Sequence, residues 1–173
     1  NSALKSILAT GRNVINCDNL SVYFEKNSIN NTENQQWNEN ALELLKSKCS
    51  SKPVFYKLAE INYNLNKTAK SSEYLAFASL KNRKFDDARK YYDEAATLET
   101  NPTEKAQLYY IIATSLYNKN LAKVKENLNK ALAIDPKLSK AYIQLSQAYA
   151  NIAERCGKTE FDKKAIYYLA IQT

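Results

Sequence analysis

Apolar residues along this chain recur every three or four positions and rarely alternate, the period of a helix face and not of a strand. Trp37, Ala41, Leu44 and Leu45 mark one such face and predict a helix over 34–47. The stretch from Pro53 to Leu65 reads as its partner, with Pro53 near a helix start, where its missing N–H costs nothing. Upstream, Asp18 or Asn19 is expected to cap a short helix carrying Leu20, Tyr23 and Phe24. Downstream the pattern repeats. Between Ser71 and Leu98, Leu75, Ala76, Phe85, Ala88, Tyr92 and Ala95 recur with Ala76 twelve residues before Ala88 and Ala88 seven before Ala95. Ile112, Ala113, Leu121, Val124, Leu128, Ala131 and Pro136 echo that order with one residue fewer in the turn, and Tyr142, Leu145, Ser146 and Tyr149 begin a third copy. A first helix running on to Glu154, a loop around Cys156-Gly157 and a last helix from Phe161 to Ile171 complete the reading.

Self-similarity at this period points to stacked helical hairpins. The repeated positions resemble the tetratricopeptide repeat, whose signature places an aromatic residue, Leu, a small residue and Tyr on a first helix, then Ala, an aromatic residue, Ala and Pro on a second. Small residues such as Ala76 and Ala88 belong where two antiparallel helices approach most closely, and large ones fill the gaps to the next hairpin. The expected fold is therefore all-α: antiparallel hairpins stacked as a right-handed superhelix of the tetratricopeptide type. An N-terminal segment, 1–33, precedes a repeat domain, 34–173, with hairpins at about 34–66, 69–100, 105–137 and 138–173. The last hairpin carries an insertion, because Ala165 falls about seven residues late, and is expected to be truncated. Core positions are Leu75, Ala76, Ala88, Tyr92, Ala95, Ile112, Ala113, Leu128, Ala131, Leu145 and Tyr149.

Composition narrows the chemistry. Two glycines and three prolines are too few for an all-β fold with many tight turns. No apolar run approaches the roughly 20 residues that span a bilayer. The chain contains no Met, so it reads as a processed product or excised piece. Its net charge of +7 is concentrated at the C-terminal end, where residues 101–173 carry eleven basic and six acidic side chains. Such an excess attracts polyanions, but Lys123, Glu126 and Lys130 follow the spacing of a solvated helix face, which disfavours nucleic acid as partner. The absence of histidine removes the commonest general base and metal ligand. The carboxylates Asp86, Asp87, Asp93 and Glu94 alternate with Arg83, Lys84, Arg89 and Lys90 and read as exposed ion pairs, not as a catalytic couple. No catalytic residue, metal ligand or cofactor is assigned, and no small-molecule substrate is expected. Asn30-Asn31-Thr32 and Asn66-Lys67-Thr68 match the glycosylation acceptor pattern, a weak motif.

The strings Asn16-Cys17-Asp18-Asn19-Leu20 and Ser-Lys-Ala-Tyr-Ile-Gln-Leu (139–145), with Cys49 and Glu154-Arg155-Cys156-Gly157, resemble a group of tetratricopeptide proteins from Bacteroidetes over about residues 13–173. Ser79 departs from that pattern where an aromatic residue is usual, and Glu43 where a small one is. The resemblance implies export to the periplasm or cell envelope. It also implies that first helices line a concave groove, whose positions here are Glu73, Phe77 and Lys81, then Tyr110, Thr114 and Tyr117, then Ile143, Gln147 and Asn151. This surface is aromatic and polar with little charge. It lacks the Lys and Asn set with which chaperone-binding members hold a terminal carboxylate, and suits an extended, partly apolar polypeptide. The expected role is a non-catalytic protein-binding scaffold; a structural spacer or docking module of a larger envelope protein is the alternative. Cys17, Cys49 and Cys156 have no Cys-x-x-Cys spacing for zinc. They are buried free thiols in a reducing cell; in the exported compartment that the resemblance implies, Cys17 and Cys49, at one end of a helical hairpin, are a candidate disulfide with Cys156 left over.

Overall fold

The structure is a computed structural model that describes residues 16–115, 120–156 and 159–172. Among the described residues there is no strand, and the helices pack in successive pairs, so the all-α expectation holds. They are α1 (Cys17–Ser28), α2 (Gln35–Lys48), α3 (Pro53–Leu65), α4 (Ala69–Lys81), α5 (Phe85–Leu98), α6 (Pro102–Ser115), α7 (Leu121–Ile134), α8 (Ser139–Cys156) and α9 (Glu160–Gln172), with a 3-10 turn at Ile29–Asn31. The chain divides into two compact units, Asn1–Tyr91 and Tyr92–Thr173.

Helix starts follow from side chains that can accept from orphan backbone N–H groups. Asparagine does most of this. Asn34 accepts from the Trp37 amide at 3.0 Å, Asn120 from Lys123 at 3.1 Å, and Asn101 from Thr103 at 2.9 Å. Asn16, accepting from Asn19 at 2.9 Å, caps α1, so the expected cap at Asp18 or Asn19 is corrected by two or three residues. Thr68 and Ser71 cap α4 reciprocally. Pro53 and Pro102 open α3 and α6. Helix α7 ends at Ile134, two residues before Pro136. At the C-terminal end, α8 runs two residues beyond the expected Glu154, and Gly157 lies outside the described residues.

The turn from α4 to α5 closes without glycine. Lys84 N–H donates to Ser79 C=O at 2.9 Å and Arg83 N–H to Leu80 C=O at 3.1 Å, the paired bonds of a Schellman motif. This geometry forces the residue after the cap into the left-handed region, and Arg83 has φ 59°. A side chain there meets the following carbonyl, at a cost of roughly 1–2 kcal/mol.

In the first unit, Leu42 and Leu45 of α2, Phe55 and Leu58 of α3 and Leu75 of α4 form one apolar cluster, and Phe24 of α1 and the half-buried Trp37 close it edge to face at 5.6 Å. In the second, Ala113 of α6 and Ala131 of α7 are fully buried, as are Val124 and Leu128 beside them. Small residues here let α6 and α7 approach closely. All the expected core positions are buried except Tyr149, which is half-buried with the Lys125 ammonium 5.0 Å from its ring. Ser79, in place of the usual aromatic residue, is fully buried, and its hydroxyl has no partner; Ser72 and Asn62 share that condition.

Candidate functional site

The first group of expected groove residues lies on α4, facing α2. Glu73 is half-buried and receives the Lys46 ammonium at 2.9 Å. The same ammonium stands 5.5 Å from the Tyr74 ring centroid and 5.6 Å from that of Phe77. Lys81 is exposed, with its ammonium 5.1 Å from the Phe77 ring centroid. Phe77 in turn packs edge-on against Phe55 at 5.9 Å, so it is a half-buried ring with two ammonium groups within 6 Å of its centroid. One turn away, Glu43 accepts from the Tyr74 hydroxyl and pairs with Lys70 at 3.2 Å. The Tyr74 hydrogen bond is the main reason the Glu43 carboxyl is held below its ordinary range; burial pushes back less strongly than that bond, and Lys70 adds to the lowering. Burial pushes the Tyr74 hydroxyl up, and the carboxylate beside it pushes the same way.

This face therefore differs from the expectation of little charge. Two ion pairs and a buried tyrosine stitch α2 to α4, and Glu43, Lys46, Lys70 and Tyr74, none of them an expected groove position, belong to it. A signal for Glu43 existed: moving Phe77 upstream by one repeat of about 34 residues lands on it. Lys46 had none, since its role depends on which neighbouring rings its stem reaches.

The second face joins α6 and α8. The Lys140 ammonium lies 4.4 Å from the centroid of the half-buried Tyr110 ring. One turn further along α8, Ile143 is 60% exposed, and Gln147 follows it, also exposed. Thr114 is half-buried and spends its hydroxyl on Ile111 C=O at 2.9 Å, so its polarity is directed inward. Asn151 is half-buried. Tyr117 lies outside the described residues. Tyr110, Lys140, Ile143 and Gln147 thus present an aromatic ring, a cation, an exposed apolar side chain and an amide on one stretch of surface.

Elsewhere, the expected surface pairing is present in Lys130–Glu126 at 2.6 Å and Arg89–Asp86 at 3.5 Å. Among the described residues, no three His, Cys, Asp or Glu side chains are grouped to hold a metal ion. An open polar depression lined by Asn30 to Gln35 contains a single carboxylate, Glu33. No helix among the described residues is long and apolar enough to cross a membrane. Cys17 and Cys49 are both free thiols, the first half-buried and the second fully buried.

No protein-family model matches the chain, and no curated protein matches it. Solved structures do. A crystal structure of MamA superposes with a TM-score of 0.70 over 94% of this chain and 91% of that one, at 16% identity. A second MamA crystal structure gives the same TM-score and identity over 99% and 86%. The chain has a tetratricopeptide-type helical-repeat fold. At this identity the likeness concerns the path of the backbone and carries none of MamA's side chains to the two faces described above.

Proposed function

We propose that this chain is a non-catalytic scaffold that binds an extended, partly apolar polypeptide along α6 and α8, the first helices of two successive hairpins in its second unit. The observation that carries the reading is the face on α6 and α8. Ile143 is left 60% exposed beside Tyr110 and Lys140, where a partner's apolar side chain gains contact area and its carbonyls gain a cationic donor. The helical-repeat fold supports protein partners in general. Location in the periplasm or envelope accompanies the proposal on the strength of the Bacteroidetes resemblance alone.

The test uses the purified chain as bait in envelope extract, comparing wild type with Tyr110→Ala and Ile143→Ala. Both variants should keep the wild-type melting temperature and weaken one specific polypeptide partner about fivefold or more. A partner set unchanged by both substitutions would remove the groove from consideration. That result favours the second reading, a structural spacer, for which the α2–α4 face offers its own support: its ion pairs are already satisfied within the chain. Recovery of nucleic acid that disappears with added salt would instead point to the basic C-terminal half.

A further inference from the structure

We infer that Cys17 and Cys49 are a dithiol that closes to a disulfide and fastens α1 to the α2–α3 hairpin. Cys17 is the first residue of α1, and Cys49 is the C-terminal cap of α2, its N–H bonded to Leu45 C=O at 2.7 Å. Cys49 belongs to the buried apolar cluster of this unit, and Cys17 packs against that same cluster. A second, independent tie spans the same joint: Lys52, three residues after Cys49, donates to Asp18, one residue after Cys17, at 2.8 Å. Cys17 Sγ also lies 3.9 Å from Ser21 Oγ, on the inward side of α1. The Lys52–Asp18 bond thus holds the start of α1 beside the α2–α3 turn, at the joint a bridge would close.

Access sets the order of events. Cys49 is 0% exposed, and Cys17 is half-buried, so an oxidant in solution meets Cys17 first. With a disulfide oxidant RSSR, the Cys17 sulfur gives up its proton and attacks one oxidant sulfur. The S–S bond of the oxidant breaks and one RSH leaves with a proton. Cys49 then loses its proton and attacks Cys17 Sγ, expelling the second RSH. Two protein thiols are oxidised, one RSSR is reduced to two RSH, and one protein S–S bond forms. Burial, with the Cys17 contact adding to it, pushes the Cys49 thiol up to about 12. Closure by Cys49 is therefore the slow step and accelerates with rising pH. This inference is independent of the groove reading.

The experiment equilibrates the full chain with oxidised glutathione, quenches with acid, denatures, alkylates remaining thiols and maps peptides by mass spectrometry. The expected result is a 17–49 linked peptide as the main product. The oxidised chain should also show amide exchange in α1 slowed about tenfold or more and a first melting transition raised by roughly 7 to 15 °C over the reduced chain. Cys49→Ser should arrest the reaction as a glutathione adduct on Cys17, and Cys17→Ser should leave Cys49 alkylatable only after denaturation. Two alkylated thiols at 17 and 49 in the oxidised wild type, a persistent glutathione adduct on Cys17, or a bridge to Cys156 each overturns the inference. The wild-type map decides alone if either serine variant does not fold.

Discussion

Removing one oxygen atom tests whether the α2–α4 face is held by its polar contacts or only by its apolar ones. Tyr74→Phe keeps a ring that is 2% exposed and deletes the hydroxyl that donates to Glu43. A hydrogen bond to a charged group is worth about 1.5–3 kcal/mol when shielded. Glu43 is 56% exposed, so water recovers much of that, and a loss of about 1 kcal/mol remains. For a chain of 173 residues this lowers the melting temperature by roughly 2–4 °C. The pH dependence follows from the lowered Glu43 pKa. Its contribution is fully present above its ordinary value of 4.5 and is lost as pH falls through the lower folded value. Because the Tyr74 hydroxyl is the main cause of that lowering, wild type and variant should differ fully at neutral pH and converge in acid once Glu43 is protonated in the folded state. Thermal unfolding followed by circular dichroism at neutral and acid pH measures this. In a Glu43→Gln background the same substitution should cost distinctly less, the signature of direct coupling. Equal melting temperatures at neutral pH, or a gap that does not narrow in acid, would refute the reasoning.

Three further outcomes are expected from thermal or denaturant unfolding. Arg83→Gly should stabilise by about 0.5–1 kcal/mol, since glycine adopts the left-handed turn without a Cβ clash; a destabilisation would mean the Schellman turn is wrongly placed. Asn62→Leu should raise stability by about 1–2 kcal/mol, because neither polar atom of the buried amide has a partner; a fall would show that an internal water satisfies it. Ala131→Leu should lower stability by roughly 1–3 kcal/mol through overpacking between α6 and α7, and an unaltered melting temperature would place the α6–α7 contact elsewhere.

The helices themselves were legible in the sequence because their causes are local. A 3.6-residue apolar period and Pro53 at a helix start act over one or two turns, whatever the rest of the chain does. Small residues at fixed spacing, such as Ala88, Ala95, Ala113 and Ala131, carried one step further, since close helix approach leaves room for nothing larger. The site was less legible. Phe77 and Tyr110 could be placed on first helices by counting, but the cations that stand over them come from Lys46 and Lys140 on neighbouring helices, and no spacing within one helix encodes that meeting. The same holds for Glu43, whose side chain looked misplaced in a small-residue position until Tyr74 and Lys70 arrived from α4 to bind it. Arg83 is the converse case: its left-handed backbone is imposed by the bonds from Arg83 and Lys84 to Leu80 and Ser79, against its own preference. Local pattern decides where helices form because each backbone bond closes within four residues. Only the tertiary structure decides which charges, rings and thiols meet, because those contacts join residues about 30 apart in the chain and depend on how the helices are packed.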